Sequence, residues 1–216
     1  MKVQLRNFSK TQNQKVLINM GCCESTEEVD EPLVAQMQPS LCVNTNYITQ
    51  SEMFFKMKVK LSMSGGDYVV RDQEGQDLLK VKTKAGLKPS TRVFAMDETL
   101  LVRSKPTSLF VGLGKHEIYG ADDTVVATLK RGKHKFCSMR RKFIVRGMDD
   151  NELFQVEGGG CTRQFMVRNP AGDAVAKLRA AKMITTTLDL QVAQGMDAAL
   201  ITTILATVLI LMQQER

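Results

Sequence analysis

Apolar and basic residues alternate one by one after Met53, most clearly from Phe55 to Leu61, where lysines separate Phe, Met, Val and Leu. Successive side chains of a β-strand point to opposite faces, so this alternation predicts a strand with one buried side and one solvent-facing side. Similar short runs, broken by turn-forming residues, continue to Val192. Each hairpin alone would leave an apolar face and an unpaired edge, so the pattern favours an antiparallel sandwich or barrel.

One hairpin pattern recurs along this region. An aromatic residue is followed by Val two positions later and by apolar residues ten and thirteen positions later, with residues that favour tight turns in between. Such a repeated spacing indicates a repeated structural unit. Three clear copies and a weaker fourth are Tyr68, Val70, Leu78 and Val81; Phe143, Val145, Leu153 and Val156; Phe165, Val167, Val175 and Leu178; and His116, Ile118, Val126 and Leu129.

The chain then changes character at Ala198 to Met212, a stretch of fifteen uncharged residues. As a helix it would be roughly 22 Å long, whereas a bilayer core requires roughly 30 Å. Three threonines dilute its hydrophobicity further. The stretch is therefore predicted to be a core helix, with Asp197 capping its N-terminus, and a membrane tail anchor is the alternative.

Composition separates residues 1–50 from the rest of the chain. Residues 1–19 carry four basic residues and no acid, and residues 20–50 carry five acids and no base, with little hydrophobic period. This composition predicts a disordered tail over 1–50 and one domain over 51–216. The five cysteines form no C-x-x-C pair, and residues 1–19 lack a signal-peptide core, so a reduced, cytoplasmic setting is expected.

The chain resembles the LURP-one-related family, most clearly in its second half. The resemblance rests on Phe143–Gly147, Phe165–Val167, Gly172–Leu178 and, most specifically, Gly195–Ile201, which has the form G-x-D-x-A-L-I. It extends over about Met53 to Met212. It implies the tubby carboxy-terminal fold, a closed antiparallel twelve-stranded β-barrel around a central buried C-terminal helix. That superfamily also contains phospholipid scramblases, so it implies phosphoinositide or membrane-surface binding by analogy of fold.

The densest charge lies between Lys130 and Lys142, where thirteen residues hold seven basic residues and no acid. Next to anionic lipid such a cluster gains ~1 kcal/mol per basic residue. A solvated hairpin whose lysines prevent edge aggregation is the alternative interpretation, and nucleic-acid binding is a third. The predicted lipid-headgroup residues are Lys130, Arg131, Lys133, Lys135, Arg140, Arg141 and Lys142.

Met20 begins the pattern M-G-x-x-x-S of N-myristoylation, with Gly21 as acceptor and Cys22 and Cys23 placed for palmitoylation. The motif acts only if Gly21 becomes the N-terminal residue. Two acyl chains would then anchor the protein stably to a membrane.

No catalytic or metal-binding pattern emerges. Gly112–Lys115 lacks the spacing of a phosphate-binding loop, Gly158–Cys161 is not a nucleophile elbow, and His116 and His134 are assigned to the surface. We therefore expect no enzyme activity, no cofactor and no metal, although residues dispersed around a pocket would escape this reasoning.

The sequence thus favours a monomeric, non-enzymatic tubby-like module that binds anionic phospholipid or phosphoinositide. It would lie at the cytoplasmic face of a membrane, peripheral to the inner side of the plasma membrane. A scramblase-like or tail-anchored membrane protein is the first alternative. A scaffold for proteins or nucleic acid is the second.

Overall fold

The alternating apolar positions form the inner wall of a β-barrel. The structure is a computed structural model, and it describes residues 31–38, 40–62, 65–107, 115–132, 140–159, 164–180 and 187–213. Within these residues twelve strands pair only with antiparallel neighbours, each with the next along the chain, and β1 pairs with β12 to close the barrel. The strands are β1 Met53–Ser62, β2 Gly65–Arg71, β3 Asp77–Lys84, β4 Ser90–Ala95, β5 Leu100–Pro106, β6 Lys115–Tyr119, β7 Val125–Arg131, β8 Arg140–Gly147, β9 Glu152–Gly159, β10 Gln164–Arg168, β11 Ala174–Ala180 and β12 Thr187–Val192.

The C-terminal apolar stretch is the helix α1, Ala198–Gln213, and it fills the barrel. Leu200, Ile204 and Val208 are fully buried and belong to the same core as the inward residues of the strands. The prediction of a buried helix in a closed twelve-stranded barrel is therefore confirmed. None of the described helices is long and apolar enough to cross a membrane.

The recurring hairpin pattern corresponds to one turn geometry, including a β-bulge, used several times. In each predicted copy the first residue pairs with the residue thirteen positions on, as Phe143 does with Val156. The residue ten positions on, such as Leu153, is skipped by the pairing and forms the bulge. The residue seven positions on always has positive φ: Gly75, Asp123, Asp150 and Gly172.

A further copy escaped the sequence pattern. In the β4–β5 hairpin Thr91 pairs with Ser104, Leu101 is skipped, and Glu98 has φ 68°. The two paired positions are polar rather than apolar, so the hydrophobic pattern did not mark them. Inside the barrel Thr91 instead meets α1, where the Thr207 hydroxyl donates to Thr91 Oγ1 at 3.1 Å.

Residues before the first strand also pack against the barrel. The compact unit that contains the barrel begins at Pro32. Val34 N–H donates to the Ala174 carbonyl at 2.8 Å, and Gln36 N–H donates to the Gln194 carbonyl at 2.9 Å. Thr45–Tyr47 forms one turn of 3-10 helix. These contacts use backbone groups, which produce no hydrophobic period in the sequence.

Candidate functional site

The two ends of the barrel differ in charge. Because every strand runs antiparallel to the next, successive connections lie at opposite ends of the barrel. The connections at one end, called the acidic end, are 72–76, 96–99, 120–124, 148–151, 169–173 and 193–197, and they contain many Asp and Glu residues but no Lys or Arg. The segments that connect the strands on the other side contain no Asp or Glu.

Carboxylates at the acidic end bind the backbone of their own turns. Asp97 Oδ1 accepts from Thr99 N–H at 2.9 Å, and Asp122 Oδ1 accepts from Thr124 N–H at 3.1 Å. Hydrogen bonds from these threonines lower the pKa of both aspartates. This use of the carboxylates is structural, since each closes a turn.

Asp197 is the most buried of the carboxylates that bind backbone groups at the acidic end. Its side chain is fully buried, and Oδ1 accepts from Ala199 and Leu200 N–H at 2.9 and 3.0 Å, as predicted for a helix cap. The other oxygen, Oδ2, accepts from Val43 and Asn44 N–H at 2.8 and 3.0 Å. One carboxylate therefore joins the start of α1 to the segment that precedes the first strand.

The opposite end, called the basic end, holds a concave site of about 380 Å³ that we call the basic pocket. The end of β3 and the β3–β4 loop, the start of β4 and the end of β5 surround it, and no carboxylate lines it. Lysine and arginine form most of the wall, with small hydroxyl residues and one proline between them. The lining residues are Lys84, Lys88, Ser90, Arg92, Arg103, Ser104, Lys105, Pro106 and Thr107.

Arg103 is the fixed member of this wall. Its guanidinium pairs with Asp123 and lies 4.8 Å from the centre of the Tyr119 ring, where a cation is attracted by the aromatic face. Its Nε is buried and has no hydrogen-bond partner in the described part of the chain. The Tyr119 hydroxyl donates to Glu117 Oε2 at 2.6 Å, and that bond raises the pKa of Tyr119.

The other four cations of the basic pocket are exposed. Lys84, Lys88, Arg92 and Lys105 form no ion pair with a carboxylate among the described residues, although Lys105 lies 5.3 Å from the Tyr119 ring centre. Cations without a carboxylate partner keep their full attraction for an external anion. The basic pocket is therefore suited to a phosphate-bearing ligand.

Two buried polar residues meet at the basic end: Ser104, which lines the basic pocket, and His116. Ser104 Oγ lies 3.2 Å from His116 Nδ1, and both residues are buried in the barrel. The assignment of His116 to the surface was wrong, because its strand position points inward and its pairing with Leu129 fixes that face. Burial lowers the pKa of His116 to about 4, so the ring is neutral near pH 7.

The predicted basic run extends the charged surface around the barrel. Lys130 and Arg131 end β7, while Arg141 and Lys142 lie near the start of β8. Arg140 begins β8, but its side chain lies outside the described part, as do Lys133 and Lys135 and the acylation residues Gly21, Cys22 and Cys23.

Lys115 joins the basic run to the basic pocket. It pairs directly with Lys130 in the β6–β7 ladder, and Thr107 N–H donates to its carbonyl. Like charges directly opposite one another destabilise a sheet, so this arrangement opposes stability. We call the cations of the basic pocket together with those of β6, β7 and β8 the basic band, which consists of Lys84, Lys88, Arg92, Arg103, Lys105, Lys115, Lys130 and Lys142.

Sequence reasoning located only one side of this band. The residues of the basic pocket are spread from Lys84 to Thr107 and never form a dense run. The available signal was the position of Lys84, Arg92 and Lys105 on the solvent-facing side of three successive strands. Among the described residues no cluster of His, Cys, Asp and Glu could hold a metal ion.

A closed barrel around a central helix defines the tubby-like class of domains. Residues 51–209 match the family model described as LURP-one-related, and the chain belongs to that family. No curated protein matches the chain.

Proposed function

We propose that this protein is a membrane-surface module whose basic band binds anionic phospholipid, phosphoinositides included. The basic pocket carries the proposal, because it gathers cations from three strands without a lining carboxylate. Its volume is within the ordinary range of small-ligand sites, about 300–1,000 Å³. An inositol phosphate headgroup has the charge and the size that such a site can take.

The energetics favour a multivalent and salt-sensitive attachment. Each basic residue near an anionic leaflet contributes ~1 kcal/mol, and this attraction falls off within the Debye length. In addition, the guanidinium of Arg92 can bind a phosphate through two parallel hydrogen bonds, which the ammonium of a lysine cannot do. The cytoplasmic leaflet of the plasma membrane carries such anionic lipid, so we place the protein at that surface.

The protein would attach to the membrane through the outer surface of the barrel. In the described structure α1 is enclosed by the strands, so its apolar side chains are occupied by packing. A tail anchor would require this helix to leave the core. Peripheral binding by the basic end leaves the fold unchanged.

The test compares two double variants that each remove two positive charges. Arg92→Gln/Lys105→Gln removes unpaired cations of the basic pocket, whereas Arg71→Gln/Arg146→Gln removes cations paired with Asp77 and Asp150 near the acidic end. Co-sedimentation uses phosphatidylcholine vesicles with and without phosphatidylinositol bisphosphate. We expect the first variant to bind the anionic vesicles at least about tenfold more weakly and the second to bind like the wild type.

Soluble inositol trisphosphate should displace the wild-type protein from these vesicles, and added salt should weaken binding. Equal binding to neutral and anionic vesicles would contradict the proposal. Equal losses in both double variants would show that net charge alone, rather than the basic pocket, attracts the protein.

Acylation of Gly21, Cys22 and Cys23 would reinforce this attachment if Gly21 becomes N-terminal. One myristoyl chain binds a membrane only marginally, and palmitoylation of an adjacent cysteine makes the attachment stable. Mass spectrometry of the N-terminal peptide from native cells tests this part of the proposal. An unmodified peptide that begins at Met1 would remove it.

A further inference from the structure

The β3–β4 loop, residues 85–89, presents an apolar side chain to solvent at the basic end. Leu87 is 79% exposed, while Pro89 two positions later is buried and ties the loop to the barrel. Gly86 has φ +115°, a conformation that favours glycine, and a Cβ there would meet no atom within 4 Å. The backbone conformation, rather than crowding, therefore requires glycine next to Leu87.

The charges around Leu87 distinguish it from an ordinary exposed leucine. Single exposed apolar residues are common on protein surfaces and need no function. Here Lys84 and Lys88 lie on either side of Leu87 in the sequence, and both line the basic pocket. When an anionic headgroup of a bilayer occupies the basic pocket, the surface of that bilayer would therefore also contact Leu87.

The acidic end offers a natural comparison. Met148, which is 67% exposed, begins the β8–β9 connection and is followed by Asp149 and Asp150. The two side chains are similarly apolar and similarly exposed, but the charges beside them have opposite sign. Of these two loops, the one with Leu87 carries the positive charge that an anionic lipid surface attracts.

We propose that Leu87 inserts into the boundary between headgroups and acyl chains when the basic band binds an anionic bilayer. This inference rests on the proposed function and adds an orientation to it: the basic end faces the membrane and the acidic end faces away. Lys84 and Lys88 then contact headgroups on either side of the inserted leucine, as basic residues do beside apolar anchors at interfaces.

The sequence contains no tryptophan, so Leu87→Trp introduces a single fluorescent reporter at the loop. The matched control, Met148→Trp, places the same reporter on an exposed connection at the other end. Each variant is titrated with vesicles of equal parts phosphatidylcholine and phosphatidylserine, with and without brominated acyl chains. We expect a blue shift and quenching for Trp at 87 and neither change for Trp at 148.

A third variant, Leu87→Ala, measures the contribution of the side chain without a reporter. We expect vesicle affinity to fall about fivefold to tenfold, with unchanged thermal stability, because the residue is exposed in the free protein. Met148→Ala should leave the affinity unchanged.

The outcomes separate the two proposals. Wild-type protein that fails to bind the vesicles contradicts the proposed function, and the insertion proposal fails with it. Binding with an unshifted and unquenched Trp at 87 leaves the proposed function intact and overturns insertion of this loop. A blue shift of the Trp fluorescence at position 148 instead of position 87 would show that the acidic end faces the membrane, which contradicts the proposed orientation.

Discussion

The acidic end and the basic end of this barrel use charge in opposite ways. At the acidic end, carboxylates such as those of Asp97, Asp122 and Asp197 accept hydrogen bonds from backbone N–H groups. At the basic end, the cations of Lys84, Lys88 and Arg92 have no carboxylate partner in the part of the chain that is described. Charge at the first end stabilises turns, and charge at the second end is available to a ligand.

The largest effect is expected at the acidic end. Asp197→Ala removes a buried carboxylate that accepts four backbone hydrogen bonds, and the stranded N–H groups should lower the free energy of unfolding by about 3 kcal/mol. Urea denaturation measures the loss. Asp197→Asn keeps one oxygen acceptor, so its free energy of unfolding should lie between that of the wild type and that of Asp197→Ala. A loss below about 1 kcal/mol for the alanine variant would mean that this carboxylate is not the connection we describe.

The next effect is a dependence on pH at the basic end. Burial holds the pKa of His116 near 4, below its ordinary value of 6.5, so the unfolded chain binds a proton more readily than the folded protein does. Stability should therefore fall as the pH is lowered from about 6.5 to 4, by up to roughly 3 kcal/mol. Denaturation at several pH values measures this slope, which His116→Asn should flatten. An unchanged slope in that variant would assign the acid sensitivity to the carboxylates.

A smaller effect would separate stability from binding. Lys115→Glu replaces the repulsion between Lys115 and Lys130 with a cross-strand ion pair, which should raise the free energy of unfolding by about 0.5 kcal/mol. The same change should weaken binding to anionic vesicles at least about tenfold, because the charge of the basic band falls by two. Lys115→Gln should show about half of each change. If stability and affinity fell together, Lys115 would instead be a structural residue.

The smallest effect concerns the repeated turn. Glu98 has positive φ at the position that Gly75 and Gly172 occupy in two other hairpins. Glu98→Gly should relieve that strain and raise stability by about 0.5 kcal/mol, since its ion pairs with Lys80 and Lys82 are exposed and weak. Gly75→Ala, the reverse change, should cost about 1 kcal/mol. Thermal denaturation of both variants measures the pair. A loss in both would mean that the ion pairs of Glu98 outweigh its backbone strain.

Local sequence was sufficient for most of the strands and for the helix of this fold. The alternation after Met53 predicts strands because a strand exposes every second residue, and the apolar stretch from Ala198 to Met212 predicts a helix too short for a bilayer. The repeated spacing predicts a hairpin between Phe143 and Val156, and the structure has that hairpin, with these two residues paired. The polar hairpin at Thr91 and Ser104 was missed because its paired inward residues are not apolar. Thr91 is bonded by a helix residue more than a hundred positions away, and Ser104 lies against His116 of the next strand.

The basic pocket shows the limit of that reasoning. The sequence determined which residues are basic and which face of each strand they occupy, because both follow from composition and a period of two. Only the tertiary structure decided that Lys84, Arg92 and Lys105 surround one site and that Leu87 lies beside it. Their proximity depends on the register of β3 against β4 and of β4 against β5, including the bulge at Leu101 in the β4–β5 hairpin. Those relations join residues distant in the chain, so no local pattern records them.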